Sequence, residues 1–432
     1  MADYSELSTI IGEMKRSAID SFMGGQGWIP NIAKDDLYSL WGVFDTSYTR
    51  PSPEGEGGGV ATAYAEDMVD SFDTIRARID AATSKWTDLP SGSTTETTLE
   101  DLRVAASLLG ASAGGEARIV DFEIDSAGST VKQMCTSNMR GSFLAPFTDK
   151  YIEQFSVVVS STGAAAAILQ TAYSAEKDLW PAVRQDAVDI CDSHSAAFAL
   201  NAGQSKKAVG EVFLTVAKLV AGAVTLIATA GTAAPAVTLA GYAVLAADKA
   251  KSFTEALSVP TDSYESIMSG LEKSLGSLDE VITLQERAID DMLAKAMDYI
   301  ATSPGNFSLD AYRLRDFSSD DTMAMASDQA SVVLSSMDRI VSVLGSASAS
   351  LGSEPSGGFL RRNSAIGIGA LGPFDKFVEL HDVLFASLKA TRDEYQNGRD
   401  LFDLAVKDYA SAEDEAAAMA NALATEAEGF AE

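Results

Sequence analysis

From Leu219 to Ala247 the chain runs for 29 residues without a charged side chain, although the protein as a whole carries a formal net charge of −30. A segment that avoids charge so completely has to be buried, either in protein or in lipid. Pro235 lies near its middle, in Gly231-Thr232-Ala233-Ala234-Pro235, so it reads as two arms and a turn. Arm one, from Val212 to Ala230, would measure about 28 Å at 1.5 Å per residue, close to the thickness of a bilayer core, provided Lys218 snorkels. The second arm, Ala236 to Ala247, is shorter and needs its neighbours as far as Phe253 to span.

Two features of this hairpin favour lipid. Lys206, Lys207 and Lys218 precede the uncharged stretch and Lys249 and Lys251 follow it, a basic collar at the open end of the hairpin in an acidic protein. Gly222, Gly231 and Gly241 would also let the arms approach closely where no hydrophobic effect drives association. Two features favour protein. The uncharged stretch holds 11 alanines and neither Phe nor Trp, so its hydrophobicity is modest, and small residues equally suit the crowded middle of a bundle. Val212, Phe213, Leu219, Leu226, Ile227, Leu239, Val244 and Leu245 are the apolar residues that either environment would receive.

The rest of the chain predicts an all-α fold. Ala, Leu, Asp, Glu and Met are plentiful, Pro is limited to 11 residues, and apolar residues recur at three-four spacing. The expected architecture is an elongated bundle of long antiparallel helices around a central apolar helical hairpin. Residues 1–50 form a small N-terminal helical section, with Asp35-Asp36 opening its second helix, and 51–59 a Pro/Gly linker. The first half of the bundle covers 60–211, the hairpin 212–253 and the second half 254–350. A Gly-rich loop, 351–372, leads to a C-terminal coiled-coil helix over 373–432.

Asp262 and Glu265 have the form of a capping box ahead of the stripe Tyr264, Ile267, Met268, Leu271, Leu275, Leu278, Ile282, Ile289, Met292 and Ala296. A second stripe runs from Met323 to Leu344. In the final helix, Phe377, His381, Leu384, Leu388, Thr391, Tyr395, Gly398, Phe402, Ala405, Tyr409, Ala412, Ala416, Met419 and Leu423 alternate in steps of four and three, a coiled-coil seam.

The sequence offers no catalytic apparatus, so it reads as a non-enzyme without cofactor or metal. It has two histidines, no G-x-S-x-G and no H-E-x-x-H. Gly367, Gly369 and Gly372 match G-x-G-x-x-G but lack a βαβ context. Cys191, Asp192 and His194, with Asp186 and Asp189 upstream, are metal-ligating types on one helix, where residues two apart diverge. Cys135 and Cys191 read as packed thiols whose pairing is open. With 62 acidic against 32 basic residues, nucleic acid is excluded as a partner class. Gly358 to Gly372 joins the basic pair Arg361-Arg362 to an apolar run, which reads as a mobile loop or a lipid-adhering one. The start, Met1 to Glu6, lacks the n- and h-regions of a cleavable signal.

The order of parts from Phe147 to Leu344, long amphipathic helices on either side of an uncharged hairpin, resembles the α-helical pore-forming toxins of the cytolysin A and haemolysin BL type. That resemblance implies a soluble protein that stores the hairpin against its bundle and inserts it into a target membrane, alone as a homo-oligomer or with partner subunits. Acid or anionic lipid would favour the release. Tyr409-Ala410-Ser411-Ala412-Glu413 has the Y-x-x-x-D/E form of the export signal of type VII secretion substrates, which the chain also resembles. The accompanying W-x-G turn is missing. This second resemblance implies a helical effector or structural protein secreted without a cleavable signal, with Tyr409 and Glu413 as its export signal. A third reading is a cytoplasmic scaffold that never meets a membrane.

Overall fold

The computed structural model describes residues 3–30, 37–40, 47–55, 65–91, 96–111, 123–203, 212, 214–216, 257–310, 325–352 and 359–429. The fold is all-α with one small sheet. Helix α1, Leu7–Gly25, buries Leu7, Ile10, Ile11, Met14, Ala18, Ile19 and Met23 along one face and ends at Gly27, whose φ of 85° turns the chain. Three short antiparallel strands follow, β1 (Trp28–Pro30), β2 (Leu37–Leu40) and β3 (Ser47–Thr49), in the order β1-β2-β3.

This sheet corrects the helical reading at residues 28–30, 37–40 and 47–49; Asp35-Asp36 lie outside the described residues. Tyr38 pairs with Tyr48 across β2 and β3, both rings are buried, and Tyr48 packs against Trp28 and Phe72. Aromatic cross-strand pairing outweighs a helix whose opening rests on two aspartates alone. The Tyr38 hydroxyl donates to Asp20 of α1 at 2.5 Å, and Arg50 also pairs with Asp20, which fixes the sheet to the helix.

Helix α2, Ala65–Thr83, runs into a 3₁₀ turn that buries Trp86. After α3 (Glu96–Leu108) and α4 (Glu123–Asn138), a short helix α5 (Leu144–Thr148) continues through a π turn, Asp149–Gln154, into α6, Phe155–Asn201. Helix α6 keeps Pro181 inside it and is buried along most of its length. Helix α7, Tyr264–Thr302, begins at Ser263, whose hydroxyl accepts from Ser266 N–H at 3.2 Å; the cap therefore sits one residue later than the sequence pattern places it. Helix α8, Ser327–Leu351, runs on past Leu344, the last residue of the predicted stripe, and Ala347, Ser348 and Leu351 still find burial. Helix α9, Phe374–Gly429, starts directly after Pro373.

Paired contacts give the helix directions. His194 with Gly270 and Glu176 with Arg362 and Glu286 set α6 and α7 antiparallel. Leu351 with His381 and Asp338 with Arg399 do the same for α8 and α9.

Two apolar cores result. One joins α3, α4, α8 and α9 to the first half of α6 and the second half of α7. The other joins α1, the sheet and α2 to the second half of α6 and the first half of α7. Along α6 the change falls between Ala175 and Leu179, and along α7 between Ile282 and Ile289. Glu176, Gln285 and Glu286 are buried in those two gaps. Among the described residues two helical stretches, Leu144–Asn201 and Ser327–Leu351, are long and apolar enough to cross a membrane, but the first is mostly buried inside the protein.

Candidate functional site

Three places carry the chemistry and geometry on which a function could rest. The first is where the two ends of the segment expected to form the hairpin meet. Val212 and Leu257 form an isolated antiparallel bridge with both hydrogen bonds made, at 3.0 and 2.8 Å. Val212, Leu214 and Val216 are buried in the second core. The backbone N–H groups of Thr215 and Val216 donate to the two carboxylate oxygens of Asp186 on α6, at 2.8 and 2.9 Å. The carboxylate there satisfies two successive backbone donors, as an N-cap side chain does, although it comes from another element. Burial pushes the Asp186 carboxyl up to about 6 even though both N–H groups favour its charge.

Beyond Val212, the hairpin residues proposed from the sequence, namely Phe213, Leu219, Gly222, Leu226, Ile227, Gly231, Pro235, Leu239, Gly241, Val244 and Leu245, lie outside the described residues, as do Lys206, Lys207, Lys218, Lys249 and Lys251 of the collar. Asp186 is a metal-ligand type by sequence, and its part at the hairpin base carries no sequence signal, because its partners are backbone amides about 30 residues away. The other groups of that constellation are held apart. Cys191 is buried, unpaired and pushed up to about 12 by burial, while His194 Nδ1 is occupied by the Ile190 carbonyl at 2.8 Å.

The second place is the end of α9. Seam residues Phe377, His381, Leu384, Leu388, Thr391, Tyr395 and Phe402 are buried, so the pattern does its expected work along the first half of the helix. Past Phe402 the packing thins: Ala405 and Val406 still lie against the first core, half-buried, and the seam position at Ala412 is exposed. Residues 411–421 are exposed, Leu404 is 55% and Met419 68% exposed, and Tyr409 is half-buried with its hydroxyl donating to Glu413 Oε1 at 2.8 Å. A three-four stripe ordinarily marks burial; here it runs off the end of the bundle.

The third place has no sequence signature as a site. Residues 359–373 are anchored by Phe359, Arg362 and Ile366, at 4%, 5% and 0% exposure, which corrects the reading of this run as a mobile loop, while Arg361, Ile368 and Leu371 are exposed. Arg362 Nη1 donates to Glu176 of α6 at 3.2 Å, its Nη2 pairs with Glu286 of α7, and the guanidinium carbon stands 4.8 Å from the centroid of the Trp180 ring. The glycines of the G-x-G-x-x-G match have a role here that involves no nucleotide. A Cβ at Gly367 would collide with the Glu286 carboxylate and one at Gly372 with Arg362 Nη2, and both residues have positive φ, 64° and 55°.

Comparison of this chain with protein-family models, curated proteins and solved structures yields no match.

Proposed function

We propose that this protein is a helical effector of the type VII secretion kind, addressed by the exposed C-terminal part of α9. The observation that carries the reading is the exposed stretch 410–421 that follows the last core contacts at Ala405 and Val406, with Tyr409 and Glu413 one helical turn apart at its start and joined by a hydrogen bond. Within a packed seam Tyr409 would be explained as core. On an exposed helical stretch that explanation falls away, and a stretch that presents apolar seam residues to solvent, as at Met419, suits recognition by another protein. The finer architecture belongs to the same reading: α9 has 56 residues, about 84 Å at 1.5 Å per residue, which fits an elongated bundle with a projecting tip.

The test is secretion of the full chain from a host with a type VII apparatus, comparing wild type with Tyr409→Ala and Glu413→Ala. The expected result is loss of the protein from the medium at unchanged cellular abundance. Wild-type secretion of both variants would overturn the reading.

A second reading concerns what the exported protein does, and the closed hairpin base favours it. The two ends of the 212–257 segment are clasped together by Val212 and Leu257 and docked on the second core, as expected for a hairpin stored as a unit and inserted into a target membrane. Lipid would be its conditional partner, with a homo-oligomer or partner subunits completing a pore. Dye release from anionic vesicles tests this, and a soluble chain that neither binds nor permeabilises them would leave the hairpin as a permanent part of the core.

A further inference from the structure

The layer between the two cores holds more negative charge than positive. Glu176, Glu286 and Arg362 are each 5% exposed or less, and the cation acting on both carboxylates is Arg362. The neighbouring charges are already engaged. Lys85 pairs with Asp279 at 2.9 Å and also donates to the Ala365 carbonyl; Asp279 accepts from Gly367 N–H; Asp290 is offset by Lys376; and Arg361 is exposed. With both glutamates ionised, one guanidinium would face two carboxylates in a water-excluded layer, leaving an unbalanced buried charge.

Hydrogen bonding shows where the imbalance can be relieved. Glu286 is fully used: Oε1 takes Arg362 Nη2, and Oε2 takes the Ile368 N–H at 2.8 Å. Glu176 Oε1 takes two donors, Trp180 Nε1 and Arg362 Nη1, both at 3.2 Å, while Oε2 is buried without a partner. A proton on the pair can therefore sit at Glu176 Oε2 without displacing a hydrogen bond. Once shared, it belongs to the pair and not to one residue.

We propose that Glu176, Glu286 and Arg362 form a one-proton clamp that keeps the loop 359–373 docked on α6 and α7 while the pair holds its proton, and releases the loop as rising pH removes it. The asymmetry of the parts directs the response. The carboxylates stand on long helices fixed by two cores, whereas Arg362 and the Ile368 amide arrive with the loop. Lifting the loop lets water reach both carboxylates. Burial and mutual repulsion hold both glutamates above the usual carboxylate range, consistent with this order of events. The sign follows: the docked state binds the extra proton, so docking is complete at lower pH and declines as pH rises through the raised values, by up to about tenfold per pH unit for one proton. This device goes beyond the export reading and does not depend on it.

The test is amide hydrogen exchange of the full chain from about pH 6 to pH 9, with intrinsic rates corrected, comparing a peptide over 359–372 with one around the Asp338–Arg399 pair of α8 and α9. Protection of the loop should fall progressively toward the tenfold-per-unit limit while that of the reference peptide holds. Glu286→Gln and Glu176→Gln should each flatten the loop profile. A flat wild-type profile, or loss of protection in both peptides at the same pH, would overturn the clamp; the wild-type measurement decides it even where a variant fails to fold.

Discussion

The ring of Tyr151 occupies the space in which a side chain at position 398 would stand: a Cβ on Gly398 would collide with three of its ring carbons. Gly398 is the one gap in an otherwise bulky stretch of the α9 seam, and the gap is a seat. Tyr151 packs there at 5.9 Å from the Tyr395 ring and donates to Glu394 at 2.9 Å, which joins the π turn before α6 to the middle of α9.

Gly398→Ala is therefore expected to destabilise the fold by about 1–3 kcal/mol as overpacking, despite the ~1 kcal/mol that alanine gains over glycine in a helix. Gly276 in α7 is the control. It is exposed, and a Cβ there would meet nothing within 4 Å, so Gly276→Ala should stabilise by about 0.5–1 kcal/mol. Denaturant midpoints of the two variants check both signs.

Val212 and Leu257 exchange both backbone hydrogen bonds, the pairing in which antiparallel Cα atoms lie about 5.5 Å apart, a spacing that suits a disulfide. The double variant Val212→Cys with Leu257→Cys should oxidise to an intramolecular bridge without loss of fold. Mass spectrometry under non-reducing conditions checks the bridge. If the hairpin opens at its base to enter lipid, the oxidised form should permeabilise vesicles several-fold less than the reduced form.

Asp186→Ala removes the acceptor for the Thr215 and Val216 amides and should loosen the hairpin base by about 1–2 kcal/mol. Asp186→Asn keeps an acceptor without the buried charge and should lose less. Exchange rates of these two amides measure the difference, and equal protection in both variants and wild type would show that the carboxylate contributes nothing.

What the sequence makes legible follows local periodicity. The stripes of α7 and of the first half of α9 are visible because one helix face repeats along the chain, and Pro373 and Ser303-Pro304-Gly305 mark boundaries where a backbone cannot continue. The sheet of β1, β2 and β3 is missed because three- and four-residue strands carry too few alternations to register, and their stability comes from Tyr38 packing on Tyr48, which in turn meets Phe72 of a later helix. Arg362 is missed for a related reason. Beside Arg361 in a glycine-rich run it looks like surface charge, and only the convergence of α6 and α7 supplies its two carboxylates. A usable hint is present, since Phe359 and Ile366 flank it in a segment too apolar for a solvated loop. The seam of α9 shows the opposite error: the pattern is read correctly, but periodicity does not reveal where the partner ends.

The pH dependence of membrane activity separates two opposing electrostatic effects. Acid would reduce the repulsion between a protein of net charge −30 and anionic headgroups, but ordinary surface carboxylates titrate near pH 4, so little of that charge changes between pH 8 and pH 6. Asp186 does titrate there. Its folded value, raised to about 6, exceeds the unfolded one, so the docked base is favoured as pH falls toward that of an ordinary aspartate and is weakened as pH rises through about 6. Within that window the tightening of the base outweighs the slight loss of surface charge. Dye release from anionic vesicles by the full chain is accordingly expected to be greater at pH 8 than at pH 6, and Asp186→Asn should remove most of the difference. Stronger release at pH 6 in both proteins would instead assign control to the headgroup repulsion and leave the hairpin base without a regulatory part.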